Sequence, residues 1–266
     1  MSEKSYSVCV LLSGGLDSAI AWVYAKKLFQ ENATALFVDY GQPYVEKEKK
    51  AITKIAPDCV SIKVPLCGVF DLMPTPQKQE VYGRNLLLAF YGAQLAPNVW
   101  LSSLYTEMNS TAVPDKRPEF FEGASNLLSL VLENKYPNTG VVLTSPFRDI
   151  TKSELIRLAL TDLGLTPDFL LSTVSCYEPS PQNSNHCGAC STCFKRWIAM
   201  TNNGIEEQYD VHPLLENAYA KEMVNKMQKC VEENNYTERF TRRRVQETFS
   251  AIEKIGLDPL ELFMPK

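Results

Sequence analysis

Short apolar segments alternate with helical patterns through the first two thirds of the chain, and this alternation limits the fold more than any other feature. It predicts strands at Val8 to Leu12, Thr34 to Asp39, Cys59 to Val64, Val99 to Leu104 and Val141 to Thr144. It predicts helices from about Ser18 onward and at Val45 to Ala56, Asn85 to Ala96, Pro118 to Asn134 and Lys152 to Leu163. Repeated strand–helix units form parallel sheets with helices on both faces. We therefore expect an α/β fold with a doubly wound parallel sheet.

The loop after the first strand reads Ser13-Gly14-Gly15-Leu16-Asp17-Ser18. Ligands of doubly wound sheets bind beyond the carboxyl ends of the strands, where this loop falls. Two glycines allow a sharp turn and a close backbone approach, and the following helix aims free N–H groups at the loop. The loop predicts an anion site, although it matches neither the Walker pattern nor G-x-G-x-x-G. An ordinary glycine-containing turn is the alternative.

Composition narrows the class of protein. The 266 residues are 45% hydrophobic and 22% charged, enough to bury the core of one large or two modest domains. A formal net charge of -4 gives no global basic field for nucleic acid or an anionic membrane, so an anion site must be local. No window approaches the roughly 18 apolar residues of a membrane span, and the N-terminal MSEKSYS is polar. We expect a cytoplasmic protein without a membrane partner.

Four of the eight cysteines cluster in the sequence. Cys176 precedes Cys187, Cys190 and Cys193, so two C-x-x-C steps share Cys190. Four thiolates suit tetrahedral zinc, and an iron–sulfur cluster is the alternative. With every position filled by protein, the zinc is expected to be structural and to pin the loop from residue 172 to 196 near the sheet edge.

The remaining cysteines and a nearby histidine are expected to be structural. Cys9, Cys59, Cys67 and Cys230 are scattered, and we expect them to pack as small apolar side chains in a reducing compartment. His186 stands beside Cys187 and could replace one sulfur ligand. With four cysteines available, we expect it instead to support the ligands or to lie on the surface.

The phosphate-type loop carries a family resemblance. Residues 13–18 match S-G-G-x-D-S, and the chain resembles the PP-loop ATP pyrophosphatases of the adenine nucleotide alpha hydrolase-like fold. A narrower resemblance, over about residues 7–200, is to the QueC-like 7-cyano-7-deazaguanine synthases of queuosine precursor synthesis. It is carried by VDYGQ at 38–42, GRN at 83–85, PD at 114–115, RPEF at 117–120, KSE at 152–154 and SCY at 175–177, followed by the three further cysteines.

The resemblance implies an ATP-dependent adenylating ligase. Such an enzyme converts 7-carboxy-7-deazaguanine and ammonia to 7-cyano-7-deazaguanine through an acyl adenylate and an amide, with Mg²⁺ accompanying ATP and Zn²⁺ structural. Lys152 and Asp17 would be catalytic, with Lys152 neutralising phosphate charge and Asp17 supporting magnesium or the loop. ATP would be bound by Leu12, Ser13, Gly14, Gly15, Leu16, Asp17, Ser18, Val38 and Lys152. The deazaguanine carboxylate would be bound by Tyr40, Gln42, Arg84, Asn85, Asp115, Arg117 and Glu119.

Several of these residues also have a structural interpretation. Lys152 could be a solvated lysine in the first turn of a helix, and Arg84 with Asn85 could belong to a helix cap. The charges from Asp115 to Glu119 could be solvated or form a capping box near Pro118. At that segment a carboxylate could instead accept hydrogen bonds from the donors of a guanine-like edge.

Departures from the family pattern fall in the expected substrate half. Pro43-Tyr44 stands where the family usually has Arg-His, residues 110–113 replace a Tyr-Ser-Gly-Tyr run, and a common glycine is missing near Ser102-Ser103. The alternative function is therefore a paralogue that stops at the amide or couples the carboxylate to another amine, which could be on a protein partner. A tRNA thiolase of the same loop family would need a catalytic cysteine near the loop. Cys9 lies inside the first strand, which argues against this alternative. The net negative charge and the intact loop at residues 13–18 argue against a non-enzymatic zinc-knuckle binding module.

We expect three parts in the chain. A PP-loop ATP-binding α/β domain spans 1–170, a zinc-binding segment with the four clustered cysteines spans 171–203 and a helical C-terminal extension spans 204–266. The extension has helical patterns at Leu214 to Val231 and Arg239 to Ile255 and goes beyond the family's usual end. It could mediate a homodimer or a protein partner. Its basic spot, Arg239, Arg242, Arg243 and Arg244, is either a solvated helix face or a site for a partner or RNA.

Overall fold

The computed structural model describes residues 6–64, 83–110, 113–178 and 186–263. Within these residues, five parallel strands form one sheet in the order β3-β2-β1-β4-β5. They are β1 Val8–Leu11, β2 Ala33–Asp39, β3 Val60–Lys63, β4 Asn98–Trp100 and β5 Val142–Thr144. The predicted α/β fold with a parallel sheet is confirmed. The strand order reverses at β1, so the loop that follows β1 lies at the topological switch point.

Helices cover both faces of the sheet and continue beyond it. They are α1 Leu16–Phe29, α2 Val45–Ile55, α3 Arg84–Ala93, α4 Tyr105–Met108, α5 Pro118–Val131, α6 Lys152–Thr161, α7 Pro167–Leu171, α8 Ser191–Asn202, α9 Ala218–Glu232 and α10 Arg242–Lys254. None of the described helices is long and apolar enough to cross a bilayer.

Strand β1 is buried on both faces, which is why its sequence is a continuous apolar run. Val8 and Val10 belong to the core cluster that contains residues of α1, α2 and α6. Cys9 and Leu11 point the other way, into the cluster with α3 and α5. Cys9 and Cys230 are buried and Cys59 is half-buried, as expected of small apolar side chains. Cys67 lies outside the described residues.

Most element boundaries differ from the sequence prediction by one to three residues, and a few differ by more. Strand β4 ends at Trp100, before the predicted Leu104, and the Ser103 N–H beyond it donates to a side chain, Ser145 Oγ, at 3.1 Å. Helix α9 begins at Ala218, since Asn217 caps it by accepting from two backbone N–H groups. Helix α10 begins at Arg242 after the Thr241 cap. The predicted loop at 172–196 is wrong in its last part, which is the start of α8.

The helices after residue 204 pack onto α8. Together with α8 they form a third hydrophobic cluster, which contains the buried side chains of Trp197 in α8, Met223 in α9 and Ile252 in α10. The apolar faces of α9 and α10 are thereby covered, and α8 is enclosed between the sheet domain and these two helices.

Candidate functional site

A cavity of about 250 Å³ lies at the carboxyl ends of β1 and β2, beside the loop at the switch point. Twelve of the residues predicted for ATP and substrate binding line it. They are Leu12, Ser13, Gly15, Leu16, Asp17, Ser18, Val38, Tyr40, Gln42, Arg84, Asn85 and Lys152. The fold thus gathers segments from four different elements around one space.

The loop after β1 is held in shape by its two serines. The Ser13 N–H donates to Ser18 Oγ at 3.2 Å, and the Ser18 hydroxyl donates to the Gly15 carbonyl at 3.1 Å. Gly15 is the N-cap of the 14-residue helix α1, and no side chain caps that end. The positive end of the α1 dipole and its first-turn N–H groups therefore face the cavity, which is the geometry of an anion site.

The first loop glycine has a packing role. Gly14 has φ +71°, and a Cβ there would lie 3.0 Å from the Glu48 carbonyl oxygen and 3.1 Å from Ala51 Cβ. A side chain at this position would be strained by the backbone and would push α2 away. Gly14 therefore lets α2 approach the loop, and it does not line the cavity itself.

Lys152 reaches the cavity from the start of α6. A capping box fixes that start, because the Thr151 N–H donates to Glu154 Oε2 at 2.7 Å and Thr151 Oγ1 accepts from the Glu154 N–H. The Lys152 Nζ contacts Asp17 Oδ1, and both side chains are about one fifth exposed. Lys152 is therefore not a solvated lysine but a cation placed beside the phosphate-type loop.

A second charged cluster lines the same cavity and was missed by sequence reasoning. Lys116 Nζ donates to Glu107 Oε1 at 2.8 Å, and Lys195 of α8 lines the same wall. Although burial opposes ionisation, the ammonium groups of Lys116, Lys195 and Lys152 hold the pKa of Glu107 at about 2. Burial lowers the pKa of Lys195 against the opposing charge of Glu107. Since these residues are far apart in the chain, no local pattern marks them as one cluster.

Three tyrosines and an arginine form the wall near β2. Arg84 Nη1 donates to Tyr40 Oη at 3.2 Å, and the hydroxyls of Tyr40 and Tyr44 lie 3.4 Å apart. The rings of Tyr44 and Tyr177 are 5.4 Å apart. Burial raises the pKa of Tyr44, which keeps its hydroxyl protonated. Tyr44, one of the departures from the family pattern, thus lies in the cavity wall.

A buried amide and carboxylate complete that wall. Gln42 Oε1 accepts from the Tyr40 N–H at 3.0 Å, and Gln42 Nε2 donates to Glu48 Oε2 at 2.6 Å. Burial raises the pKa of Glu48 to about 7, against the opposing hydrogen bond from Gln42 and the charge of Arg84. Gln42 orients Glu48, so the cavity presents a carboxyl group that titrates near neutral pH.

The charged segment from Asp115 to Glu119 is placed differently from the other predicted residues. The Asp115 carbonyl oxygen accepts from Asn85 Nδ2 at 3.2 Å. Arg117 and Glu119 pair with each other at 3.2 Å, and their side chains are 39% and 71% exposed. None of the three acidic and basic side chains Asp115, Arg117 and Glu119 lines the cavity, whereas Lys116 does. Their role in substrate binding stays a prediction.

The four clustered cysteines meet in space. Their sulfur atoms all lie within 4.8 Å of one another, with 4.0 Å between Cys187 and Cys193 and 3.3 Å between Cys190 and Cys193. Tetrahedral zinc with Zn–S bonds of about 2.3 Å places its sulfurs about 3.8 Å apart. The set could therefore hold such a metal ion. Cys176 also lines the cavity, so this group adjoins the site.

Two buried groups support the cysteine segment. His186 is buried, so it is not a surface residue, and its Nε2 accepts from the Ser175 N–H at 3.2 Å. Arg196 is fully buried, and its Nε donates to the Glu207 carboxylate at 2.7 and 3.0 Å. Arg196 also donates to Thr173 Oγ1 at 2.7 Å. Because these groups are paired, they can fix the chain on both sides of Cys176.

Known proteins resemble this chain over most of its length. The chain matches the family model described as queuosine biosynthesis protein QueC over residues 7–69 and 71–204. It is 30% identical over 233 residues to the 7-cyano-7-deazaguanine synthase of Syntrophus aciditrophicus, covering 78% of this chain and 97% of that protein. The synthase of Methanococcus aeolicus is 28% identical, with coverages of 76% and 97%. A solved NH3-dependent NAD synthetase from Campylobacter jejuni aligns over 100% of this chain and 90% of its own, with 14% identity and a TM-score of 0.27.

Proposed function

Because the chain belongs to the family of the queuosine biosynthesis protein QueC, we propose that it converts 7-carboxy-7-deazaguanine and ammonia to 7-cyano-7-deazaguanine with consumption of ATP. The enzyme class, an ATP-dependent ligase of the PP-loop type, follows from the same membership. The observation that carries the proposal is the position of Lys152 against Asp17 at an uncapped helix N-terminus inside one cavity. Such a site suits a nucleoside triphosphate.

The first half-reaction would activate the carboxylate. A carboxylate oxygen attacks the α-phosphorus of ATP, the bond from that phosphorus to the bridging oxygen breaks, and pyrophosphate leaves. The N–H groups at the start of α1 and the Lys152 ammonium stabilise the charge that develops on the phosphates. The Asp17 carboxylate offers the oxygen ligand that Mg²⁺ prefers, so it would hold the ion that accompanies ATP.

The second half-reaction would use ammonia. Ammonia attacks the acyl carbon of the adenylate, AMP leaves with the former carboxylate oxygen, and the amide forms after loss of a proton. The amide oxygen then attacks the α-phosphorus of a second ATP, and pyrophosphate leaves. AMP departs with that oxygen, the nitrogen loses its two protons, and the nitrile forms. Each nitrile therefore requires two ATP molecules and releases two AMP molecules.

The deazaguanine would lie against the wall formed near β2. Arg84 and the tyrosine hydroxyls can donate hydrogen bonds, and Gln42 holds Glu48 in place as an acceptor for ring and amino N–H groups. Tyr40, Gln42, Arg84 and Asn85, which line the cavity, are the predicted substrate residues that the proposal retains.

The cysteine cluster would hold zinc in a structural role. Four thiolates fill the tetrahedral coordination sphere, so no position is left for a reacting water. The ion would fix the segment that carries Cys176 and Tyr177 at the cavity edge.

Product analysis tests the proposed function. The purified protein is incubated with Mg-ATP, 7-carboxy-7-deazaguanine and ammonia, and products are identified by mass spectrometry. We expect the nitrile with two AMP per product and no AMP without the carboxylate.

The second candidate, an enzyme that stops at the amide or uses another amine, is favoured by Tyr44 at the cavity wall, where the family pattern is not kept. It would give one AMP per product and an amide or conjugate. Absence of carboxylate-dependent AMP would contradict both.

A further inference from the structure

The part of the chain beyond the family match is packed against the site. The family model ends at residue 204, and the two synthases named above are matched over 97% of their length while they cover 76% and 78% of this chain. Yet Asn217 Nδ2 donates to the carbonyls of Gly188 and Cys190 at 2.7 and 3.1 Å. Helix α10 packs along α8 and reaches α6. These additional residues therefore contact the elements that carry the cavity.

One arginine of α10 joins two of those elements. Arg243 Nη2 donates to Glu154 Oε2, and its Nη1 donates to the Asp149 carbonyl at 2.9 Å. Its guanidinium also stacks on the Tyr105 ring, 4.7 Å from the ring centroid. Glu154 is the capping-box residue of α6, and Tyr105 begins α4. Arg243 thus ties the start of α6 to the start of α4.

A glutamate one turn further along α10 holds the residue next to Lys152. Glu247 Oε1 accepts from the Ser153 N–H at 2.8 Å, a donor in the first turn of α6 that the helix itself leaves unsatisfied. The Glu247 carbonyl accepts from Asn202 Nδ2 at 2.8 Å, and the same amide donates to Ser153 Oγ at 3.1 Å. After Lys152, the Ser153 N–H is thus bonded to Glu247 of α10. Before Lys152, the Thr151 N–H is bonded to Glu154, which Arg243 of α10 binds.

We propose that α10 is a positioning element of the cavity, in which Arg243 fixes the segments that carry Lys152 and Glu107. Arg243 does not line the cavity, so it acts through Glu154 and Tyr105 and not on the substrate. The catalytic consequence rests on the proposed function. At least one arginine of the basic spot therefore has an intramolecular role, because Arg243 binds Glu154 of α6 and stacks on Tyr105 of α4.

The structure separates this role from simple stabilisation. The Arg243 and Glu154 side chains are 38% and 37% exposed, and an ion pair at that exposure contributes little to global stability. A small misplacement of a catalytic group, in contrast, lowers the rate of reaction steeply. Loss of Arg243 should therefore affect catalysis more than unfolding.

The test compares Arg243→Ala with Arg242→Ala. Arg242 is the matched control because it neighbours Arg243 on α10 but stacks on Tyr236 at 4.8 Å and binds Asn234 at 3.0 Å, both within the extension. Two readouts are measured: amide hydrogen exchange of residues 103–110 and 147–158, and kcat with the KM for ATP in the AMP-forming reaction. A third variant, Arg243→Lys, keeps the charge but cannot make both guanidinium hydrogen bonds.

We expect Arg243→Ala to speed exchange in both segments and to lower kcat about tenfold, with the KM for ATP changed less than about twofold. Arg242→Ala should change none of these, and Arg243→Lys should be intermediate. Melting temperatures of the two alanine variants should agree within about 2 °C. Equal exchange and equal kcat in the two alanine variants would overturn the proposal, as would altered exchange without a loss of kcat.

The two hypotheses fail separately. Wild-type protein that forms no carboxylate-dependent AMP would contradict the proposed function, and the exchange comparison would then decide the positioning role by itself. Wild-type activity together with an Arg243→Ala variant that matches Arg242→Ala in rate and exchange would contradict the positioning role alone.

Discussion

Lys152 and Asp17 are 135 positions apart in the chain, yet the lysine Nζ contacts the aspartate Oδ1 at the cavity. Asp17 lies in the first turn of α1 and Lys152 at the first position of α6. The contact brings a cation and a carboxylate to the same end of the sheet, next to unsatisfied helix N–H groups. This pairing is the centre of the nucleotide site that we propose.

Replacing the lysine tests its charge. Lys152→Met should lower the rate of AMP and pyrophosphate formation by about 10²- to 10³-fold, the range for loss of one preorganised charge or donor. Its melting temperature should stay close to wild type because the pair is partly exposed. Lys27→Met is the control, since Lys27 donates to the Asp162 carbonyl on the surface at 2.8 Å. A Lys152→Met enzyme with a rate like that of the control would contradict the assigned role.

Removing a cysteine tests the metal. We expect one zinc ion per chain in the wild type. Cys190→Ser should lose it and have a lower melting temperature, because the binding free energy of a structural zinc is also folding free energy. Metal is measured by mass spectrometry of the acid-digested protein. Cys59→Ser, half-buried outside the cluster, should keep the zinc. A metal-free wild-type chain of full stability would exclude the zinc site.

Two glycines give a matched pair for the packing of the cysteine segment. Gly188 and Gly204 have φ values of +78° and +69°, so alanine is strained at both by about 1 to 2 kcal/mol. A Cβ at Gly188 would also lie 1.8 Å from the Val211 carbonyl oxygen, whereas nothing lies within 4 Å at Gly204. Gly188→Ala should therefore lower the free energy of unfolding clearly more, by about 3 kcal/mol or above, in urea titrations. Equal losses would show that Val211 does not constrain this turn.

The carboxyl group of Glu48 predicts a pH dependence of stability. Its pKa is raised from 4.5 to about 7 in the folded protein, so the folded state binds this proton more tightly than the unfolded state. The stability it contributes is complete below about pH 4.5 and is lost as the pH rises through 7. Relative to Glu48→Gln, the wild type should therefore lose about 1 kcal/mol or more of unfolding free energy between pH 5 and pH 8.

The control for that experiment is on the same helix. Glu46 is 75% exposed, and Glu46→Gln should follow the pH profile of the wild type. Urea unfolding at four pH values measures all three proteins. A constant difference between the wild type and Glu48→Gln across this range would contradict a carboxyl group that titrates near pH 7.

The fold could be predicted from the sequence because its signals are local. The strand β1, its loop and α1 are contiguous, and burial on both faces makes β1 a continuous apolar run. The cysteine cluster was equally accessible, since three of its members stand within seven residues. Some helix boundaries were predicted wrongly. Helix α9, for example, was predicted from Leu214 but begins at Ala218, after the Asn217 cap.

The second charged cluster could not be predicted in the same way. Glu107, Lys116 and Lys195 come from three separate elements, and only the packing of α4 and α8 brings them together. Around position 116, the sequence drew attention to Asp115, Arg117 and Glu119, but the turn directs Lys116 to the cavity. A charged residue in a loop shows its chemistry in the sequence, but its direction depends on tertiary contacts.

The measurement that tests the central claim most directly follows the carboxylate oxygens of the substrate. 7-Carboxy-7-deazaguanine carrying ¹⁸O in both carboxylate positions is turned over with Mg-ATP and ammonia, and AMP is analysed by mass spectrometry. If the carboxylate and then the amide attack the α-phosphorus, each AMP gains one ¹⁸O and the nitrile retains none. Unlabelled AMP, or ¹⁸O found in inorganic phosphate instead, would contradict an adenylating ligase at this site.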